Sequence, residues 1–118
     1  MTREIKFRGK HSNKWIYGYL LKSIDDNKCY ISVSLDQFYQ VKEETIGQYT
    51  GLKDKNGVEI YEGDKVKAKF YGKEVVGEIG FSDGCFLLWN SCVSDNQLFI
   101  FTDIEVIGNI YDNEVSNE

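Results

Sequence analysis

The sequence predicts an all-β protein. A β-hairpin or meander region over residues 1–60 is expected to pack on a small SH3-like β-barrel over residues 61–112, with few or no long helices. Three observations carry this. Aromatic residues make up 14% of the chain and, with Ile and Val, fill short runs that alternate apolar and polar. Gly, Asn and Asp punctuate those runs at intervals of about 8–12 residues, the spacing of a small barrel or sandwich. No window holds a 3.6-residue apolar period long enough for a long helix.

The 118 residues fit a single domain, taken as 1–112 with a disordered polar tail at 113–118. Hydrophobic residues at 42% and charged residues at 28% are globular proportions. There are no prolines, which removes polyproline ligands and stiff linkers from consideration. No apolar run is long enough to span a bilayer, and the opening MTREIKFRGK is too charged for a signal peptide. The expectation is a cytoplasmic protein, away from membranes, with Cys29, Cys85 and Cys92 as reduced thiols.

The elements follow from the N-terminus. Glu4–Arg8 alternates, with Ile5 and Phe7 on one face, and Gly9–Asn13 reads as the turn to Trp15–Leu21. On that second strand Trp15, Tyr17 and Tyr19 share one face and Ile16 and Leu20 the other, so both faces are apolar or aromatic. A strand buried on both sides belongs to a core or an interface, and one side is assigned to contact between subunits. Cys29–Val33 and Gln37–Val41 are the next strands, with Phe38 and Tyr39 read as core, and Lys42–Ile46 as one helical turn. Gln48–Leu52 and Val58–Tyr61 flank Lys53–Gly57, where Asn56-Gly57 supplies the positive φ of a tight turn. Lys65–Tyr71, with Val66, Ala68 and Phe70 inward, meets Glu74–Phe81 through a turn at Gly72-Lys73. Cys85–Trp89, a polar loop at Asn90–Gln97, and strands at Leu98–Phe101 and Ile104–Tyr111 complete the chain. Gly77 and Gly108 interrupt strand patterns, where glycine marks a bulge or a barrel corner.

The run Thr45-Ile46-Gly47-Gln48-Tyr49-Thr50-Gly51-Leu52-Lys53-Asp54-Lys55-Asn56-Gly57-Val58-Glu59-Ile60-Tyr61-Glu62-Gly63-Asp64 resembles the signature of the YopX family. The opening Arg3–Arg8 and the closing Glu105–Tyr111 resemble the ends of that family, whereas Gly9-Lys10 departs from its frequent Ala-Trp. The resemblance implies a β-rich protein encoded by a phage or prophage, with no assigned activity and no catalytic residues to carry over. Physically the signature is a turn scaffold. Gly51, Gly57 and Gly63 recur every six residues as turn closers, and Asp54 and Asp64 are placed to accept backbone N–H bonds. Tyr49 and Tyr61 lie on either side of Asn56-Gly57 as a candidate cross-strand pair. The alternative is that Tyr49, Asp54, Tyr61 and Asp64 line a ligand groove.

Charge is uneven. Residues 1–22 hold six basic side chains against one acidic, and residues 23–118 hold eight against eighteen, giving −5 overall. The basic N-terminal strands are read first as lying against an acidic body, of this chain or a neighbouring subunit. The second reading is a nucleic-acid face in which Arg3, Lys6, Arg8 and Lys14 accompany stacking rings Phe7, Trp15 and Tyr17. Net acidity opposes it, because phosphate backbones are repelled. Catalytic patterns are missing from the sequence: His11 is the sole histidine and sits in a polar turn, and no Gly-rich phosphate loop occurs. The loop Asp54–Gly57 fails as an EF-hand, since Leu52 and Gly63 would fall at ligand positions. The expected protein is therefore a non-enzymatic, self-associating module without cofactor or metal that binds a phage or host protein. Nucleic-acid binding is its alternative, and a small enzyme ranks third.

Overall fold

The computed structural model describes residues 4–90 and 94–112. Its described residues form eleven strands and two 3₁₀ turns, with no α-helix. The chain divides into two compact units, Met1–Gly51 and Leu52–Glu118.

In the first unit, β1 (Phe7–His11), β2 (Lys14–Lys22), β3 (Cys29–Ser34) and β4 (Gln37–Val41) run as an antiparallel meander. A 3₁₀ turn at Glu43–Thr45 follows, and β5 (Gly47–Lys53) returns antiparallel to β1. The strand order is thus β4-β3-β2-β1-β5, and the short strand β6 (Glu59–Tyr61) follows β5 as the sixth strand of this sheet. Strict alternation decides what goes inside. Phe7, Ile16, Leu20 and Ile46 pack against buried Cys29, Ile31 and Val41. Gly9 faces the same core, and a Cβ there would lie 2.9 Å from the Val41 side chain, so β1 approaches only because the side chain is missing. The end of β4 is tied to β1: Lys42 N–H donates to Lys10 C=O at 2.9 Å, and the His11 ring nitrogen Nδ1 lies 2.8 Å from Gln40 C=O. The Thr45 hydroxyl accepts from Lys10 N–H at 2.8 Å and donates to Lys42 C=O at 2.7 Å, pinning the 3₁₀ turn to that corner.

The second unit repeats the plan. After β6 (Glu59–Tyr61), strands β7 (Asp64–Phe70), β8 (Lys73–Ser82), β9 (Cys85–Asn90) and β10 (Ser94–Gln97) form an antiparallel meander. A 3₁₀ turn at Leu98–Ile100 precedes β11 (Thr102–Asn109), which pairs antiparallel with β7. The order β10-β9-β8-β7-β11 has the same connectivity as the first unit. Val66, Ala68, Val75, Ile79 and Leu88 fill its core with Ile60, Leu98 and Phe101. Gly77 sits where a Cβ would overlap the Leu88 side chain and come within 2.5 Å of Trp89 C=O, and Gly108 flanks a register shift against β7. Both behave as close-approach or bulge glycines.

The structure corrects several sequence expectations. The SH3-like arrangement over 61–112 is an open five-stranded sheet: no ladder joins β10 to β11 among the described residues. β10 pairs along β9 and β11 along β7. The first hairpin is shifted along the chain, so Gly9–His11 belongs to β1 and the turn narrows to Ser12-Asn13. Ser12, at φ 58°, supplies the left-handed residue that turn needs. The β7–β8 hairpin turns at Tyr71-Gly72, both with positive φ, and Lys73 already belongs to β8. Part of the expected Asn90–Gln97 loop is strand β10, and the expected strand at Leu98–Phe101 is a 3₁₀ turn. A run of apolar side chains without alternation fits either geometry, and here burial of Leu98 and Phe101 decides it. Gly51 lies inside β5 at φ 90° and closes no turn.

Candidate interaction surface

Alternation places Ile16 and Leu20 in the first unit's core and turns Trp15, Tyr17, Tyr19 and Leu21 to the opposite face of the sheet. Register builds rows across that face. Lys10 stands opposite Trp15, Arg8 opposite Tyr17, Tyr19 opposite Ser32 and Ser32 opposite Phe38, and Leu21 opposite Tyr30. Tyr17, Tyr19, Leu21 and Phe38 are 47%, 64%, 45% and 55% exposed, a strip of apolar and aromatic side chains. Phe38 therefore leaves the core expected for it: Tyr39 and Val41 take the inward positions of β4, which turns Phe38 outward. Its ring meets Tyr30 edge-on at 5.8 Å. These two rings, with Leu21, Lys22 and Ser23, line a pocket of about 310 Å³. At its rim the Tyr30 hydroxyl donates to Asp26 Oδ2 at 3.1 Å, and that bond raises the phenol above its ordinary range. Asp26 is held below the carboxylate range, chiefly by Lys28 N–H and the Ser23 hydroxyl.

The basic residues assigned to this face are only partly available on it. Arg3 lies outside the described residues. Lys6 is half-buried, 3.5 Å from Glu4 and 5.4 Å over the Tyr49 ring. Arg8 is a correction: it is 5% exposed, with its guanidinium 4.5 Å over the Trp15 ring, so it is a packing residue. Lys10 also lies over Trp15, at 5.4 Å. Lys14 is exposed at the hairpin end, but its parity puts it on the face opposite Trp15 and Tyr17, and Phe7 belongs to the core. His11 is a strand residue rather than a loop residue, with Tyr39 5.5 Å from its ring.

The equivalent strand in the second unit treats its cations differently. Lys65, Lys67 and Lys69 share the face of β7 turned away from the core, as Arg8 and Lys10 share that of β1. Here, however, carboxylates accompany them: Lys67 reaches Glu74 at 3.5 Å and Glu105 at 4.0 Å, Lys69 reaches Asp103 at 3.8 Å, and Lys55 reaches Glu105 at 3.7 Å. These pairs surround a polar cleft of about 150 Å³. Charge is cancelled on this face of the second unit, whereas aromatic faces underlie the cations of the first.

The signature run is built as a turn scaffold. Asp54 Oδ1 accepts from Asn56 N–H at 2.8 Å and Val58 N–H at 2.9 Å, and Oδ2 accepts from Val106 N–H at 2.9 Å. Burial pushes this carboxyl up, but the N–H groups of Val106, Val58 and Asn56, with Lys55, outweigh it and hold it below the ordinary range. Asn56 and Gly57 make the turn, with Gly57 at φ 84°. Asp64 is buried and accepts Tyr61 N–H at 2.8 Å, three residues back rather than forward. Gly63 N–H donates to Ile79 C=O and Gly63 C=O accepts from Ile110, both at 2.9 Å, while a Cβ there would lie 2.8 Å from the Tyr111 ring. Tyr49 and Tyr61 are both buried. Cys29 is buried and Cys85 half-buried, both free thiols, and Cys92 lies outside the described residues. Among the described residues no three His, Cys, Asp or Glu side chains converge as metal ligands would, and no helix is long and apolar enough to cross a membrane.

Comparison with curated proteins returned no match. Among solved structures the chain is similar to the crystal structure of protein EF1440 from Enterococcus faecalis, at 26% identity and a TM-score of 0.56. The alignment covers 99% of this chain and 100% of that one. A family model described as YopX protein matches residues 6–115.

Proposed function

The chain belongs to the YopX family, and we propose that this member is a non-enzymatic, self-associating module that binds another protein through the aromatic face of its N-terminal sheet. The carrying observation is the exposed strip Tyr17, Tyr19, Leu21 and Phe38 on one face of β2 and β4. Tyrosine offers large, rigid, amphipathic contact area at low entropy cost, and such strips are the common material of protein interfaces. Two further observations support the reading. The carboxylates of the signature, Asp54 and Asp64, spend their oxygens on backbone N–H groups. Of the basic side chains assigned to a nucleic-acid face, Arg8 is buried and Lys6 stands beside Glu4. With the phage or prophage origin that the family resemblance implies, the partner would be a phage or host protein.

The test compares the wild type with the double variant Tyr17→Ser, Tyr19→Ser. Affinity capture from cells of the encoding organism, read by mass spectrometry, is expected to return a partner with the wild type and to lose it with the variant, whose thermal unfolding stays unchanged. Identical captures, or none, overturn the reading. Retention of single-stranded DNA at low salt that weakens with Lys6→Glu and Lys10→Glu replaces it with nucleic-acid binding.

A further inference from the structure

We propose that Asn56 is a site of spontaneous covalent modification, deamidation to aspartate and isoaspartate, and that Asp54 guards it by locking the turn around it. The inference is independent of what the chain binds. Asn56 is the only asparagine in the sequence that precedes a glycine. A side chain on the following residue obstructs attack on the asparagine amide, and glycine has none. Asn56 is exposed, and no atom lies within 4 Å of where a Cβ on Gly57 would stand, so water and base reach both residues.

The chemistry needs only water. Gly57 N gives its proton to a solvent base and attacks Asn56 Cγ. The Gly57 N–Cγ bond forms, the Cγ–Nδ2 bond breaks, and the departing nitrogen takes up a proton and leaves as ammonia. The product is a five-membered cyclic imide. Water then opens it at Cγ, giving aspartate, or at the main-chain carbonyl carbon of residue 56, giving isoaspartate.

The fold withholds this reaction through one residue. Gly57 N–H donates to Asp54 C=O at 3.0 Å, and Asn56 N–H donates to Asp54 Oδ1 at 2.8 Å. These two N–H groups stand at either end of the Asn56 ψ torsion, so Asp54 fixes it. The bond from Gly57 back to Asp54, with positive φ in this stretch confined to Gly57, makes Asp54–Gly57 a type I turn. In such a turn ψ at Asn56 is about 0°, which eclipses Gly57 N with Asn56 N. Ring closure needs Gly57 N eclipsed with Asn56 Cβ instead, a rotation of about 120° from the turn geometry. Val58 N–H, also on Asp54 Oδ1 at 2.9 Å, and Asp54 N–H, on Val58 C=O at 2.8 Å, close the loop around these bonds. Modification therefore waits on local opening of residues 54–58. Isoaspartate then carries the chain through one extra methylene between the two N–H groups that Asp54 holds, and it adds a negative charge near the Asp54 carboxylate, so the opened turn does not close as before.

Incubation of the full chain in mildly alkaline buffer, read by peptide mapping with mass spectrometry, tests this. In denaturing urea Asn56 is expected to gain the one dalton that exchanges NH2 for OH ahead of every other asparagine, with isoaspartate in the product. The folded chain is expected to lag by about tenfold or more at Asn56. Asp54→Ala removes the acceptor of Asn56 N–H and Val58 N–H, and is expected to shorten that lag while circular dichroism and the amide protection of residues 64–82 show the sheet intact. No modification of Asn56 in urea overturns the site. Equal rates in the folded and unfolded chain overturn the guard, and a folded Asp54→Ala that keeps the wild-type lag overturns the part given to Asp54. If Asp54→Ala does not fold, the ratio of the two wild-type rates decides alone.

Discussion

Asp54 is where the signature run becomes structure. Its carboxylate holds the Asn56-Gly57 turn through one oxygen and reaches Val106, 52 residues away, through the other. Asp54→Asn keeps one acceptor oxygen and loses the other, leaving a buried N–H without its partner, and is expected to cost about 1–3 kcal/mol in denaturant unfolding. The pH dependence has a definite sign. The folded carboxyl titrates below its unfolded value, so its stabilisation is complete above the unfolded pKa of about 4 and is lost as pH falls through the lowered folded value. The acid limb of a stability–pH curve should therefore be flatter in Asp54→Asn than in the wild type, and equal limbs would mean that the carboxylate is not stabilised in the fold. The sequence showed that Asp54 accepts backbone N–H groups, because Asp before Asn-Gly is turn chemistry. It did not show Val106, since nothing local encodes a partner half a chain away.

At the scale of elements, β1 and β7 carry the same alternation, cations on one face and small or apolar residues on the core face, and their neighbours give the cations different roles. On β7 the lysines meet carboxylates on β8 and β11 at the surface. On β1 Arg8 is buried over Trp15. Lys67→Ala is expected to change stability by less than about 0.5 kcal/mol, as exposed ion pairs contribute little. Arg8→Ala should cost about 1–3 kcal/mol, because it removes the side chain's stem from a packed position as well as the guanidinium from the ring face. Urea unfolding of the two variants decides this, and equal effects would return Arg8 to the surface. Alternation made the split of β2 legible, with Trp15, Tyr17 and Tyr19 on one side and Ile16 and Leu20 on the other. It left Phe38 misread, because a two-residue period fixes that Phe38 and Tyr39 point opposite ways but not which of them points inward.

Across the whole chain, one topology appears twice: a four-stranded meander, a 3₁₀ turn, and a fifth strand that returns to the first. The two copies differ in what they bury. Eight buried residues form the described core of Leu52–Glu118, and three that of Met1–Gly51. A small core stabilises weakly, so hydrogen exchange followed by mass spectrometry should find strand amides of residues 7–51 less protected than those of residues 64–109. Equal protection would mean that the first unit draws stability from elsewhere. The sequence by itself determined the β class, the turn chemistry of the signature and the face each side chain of a strand shares, because all three follow from local sterics and a two-residue period. The tertiary structure alone decided that the first fifty residues repeat the topology of the last sixty, that Arg8 is interior, and that the five-stranded sheet stays open. Those depend on which strands meet and how closely, and contacts between residues distant in the chain leave no periodic trace in it.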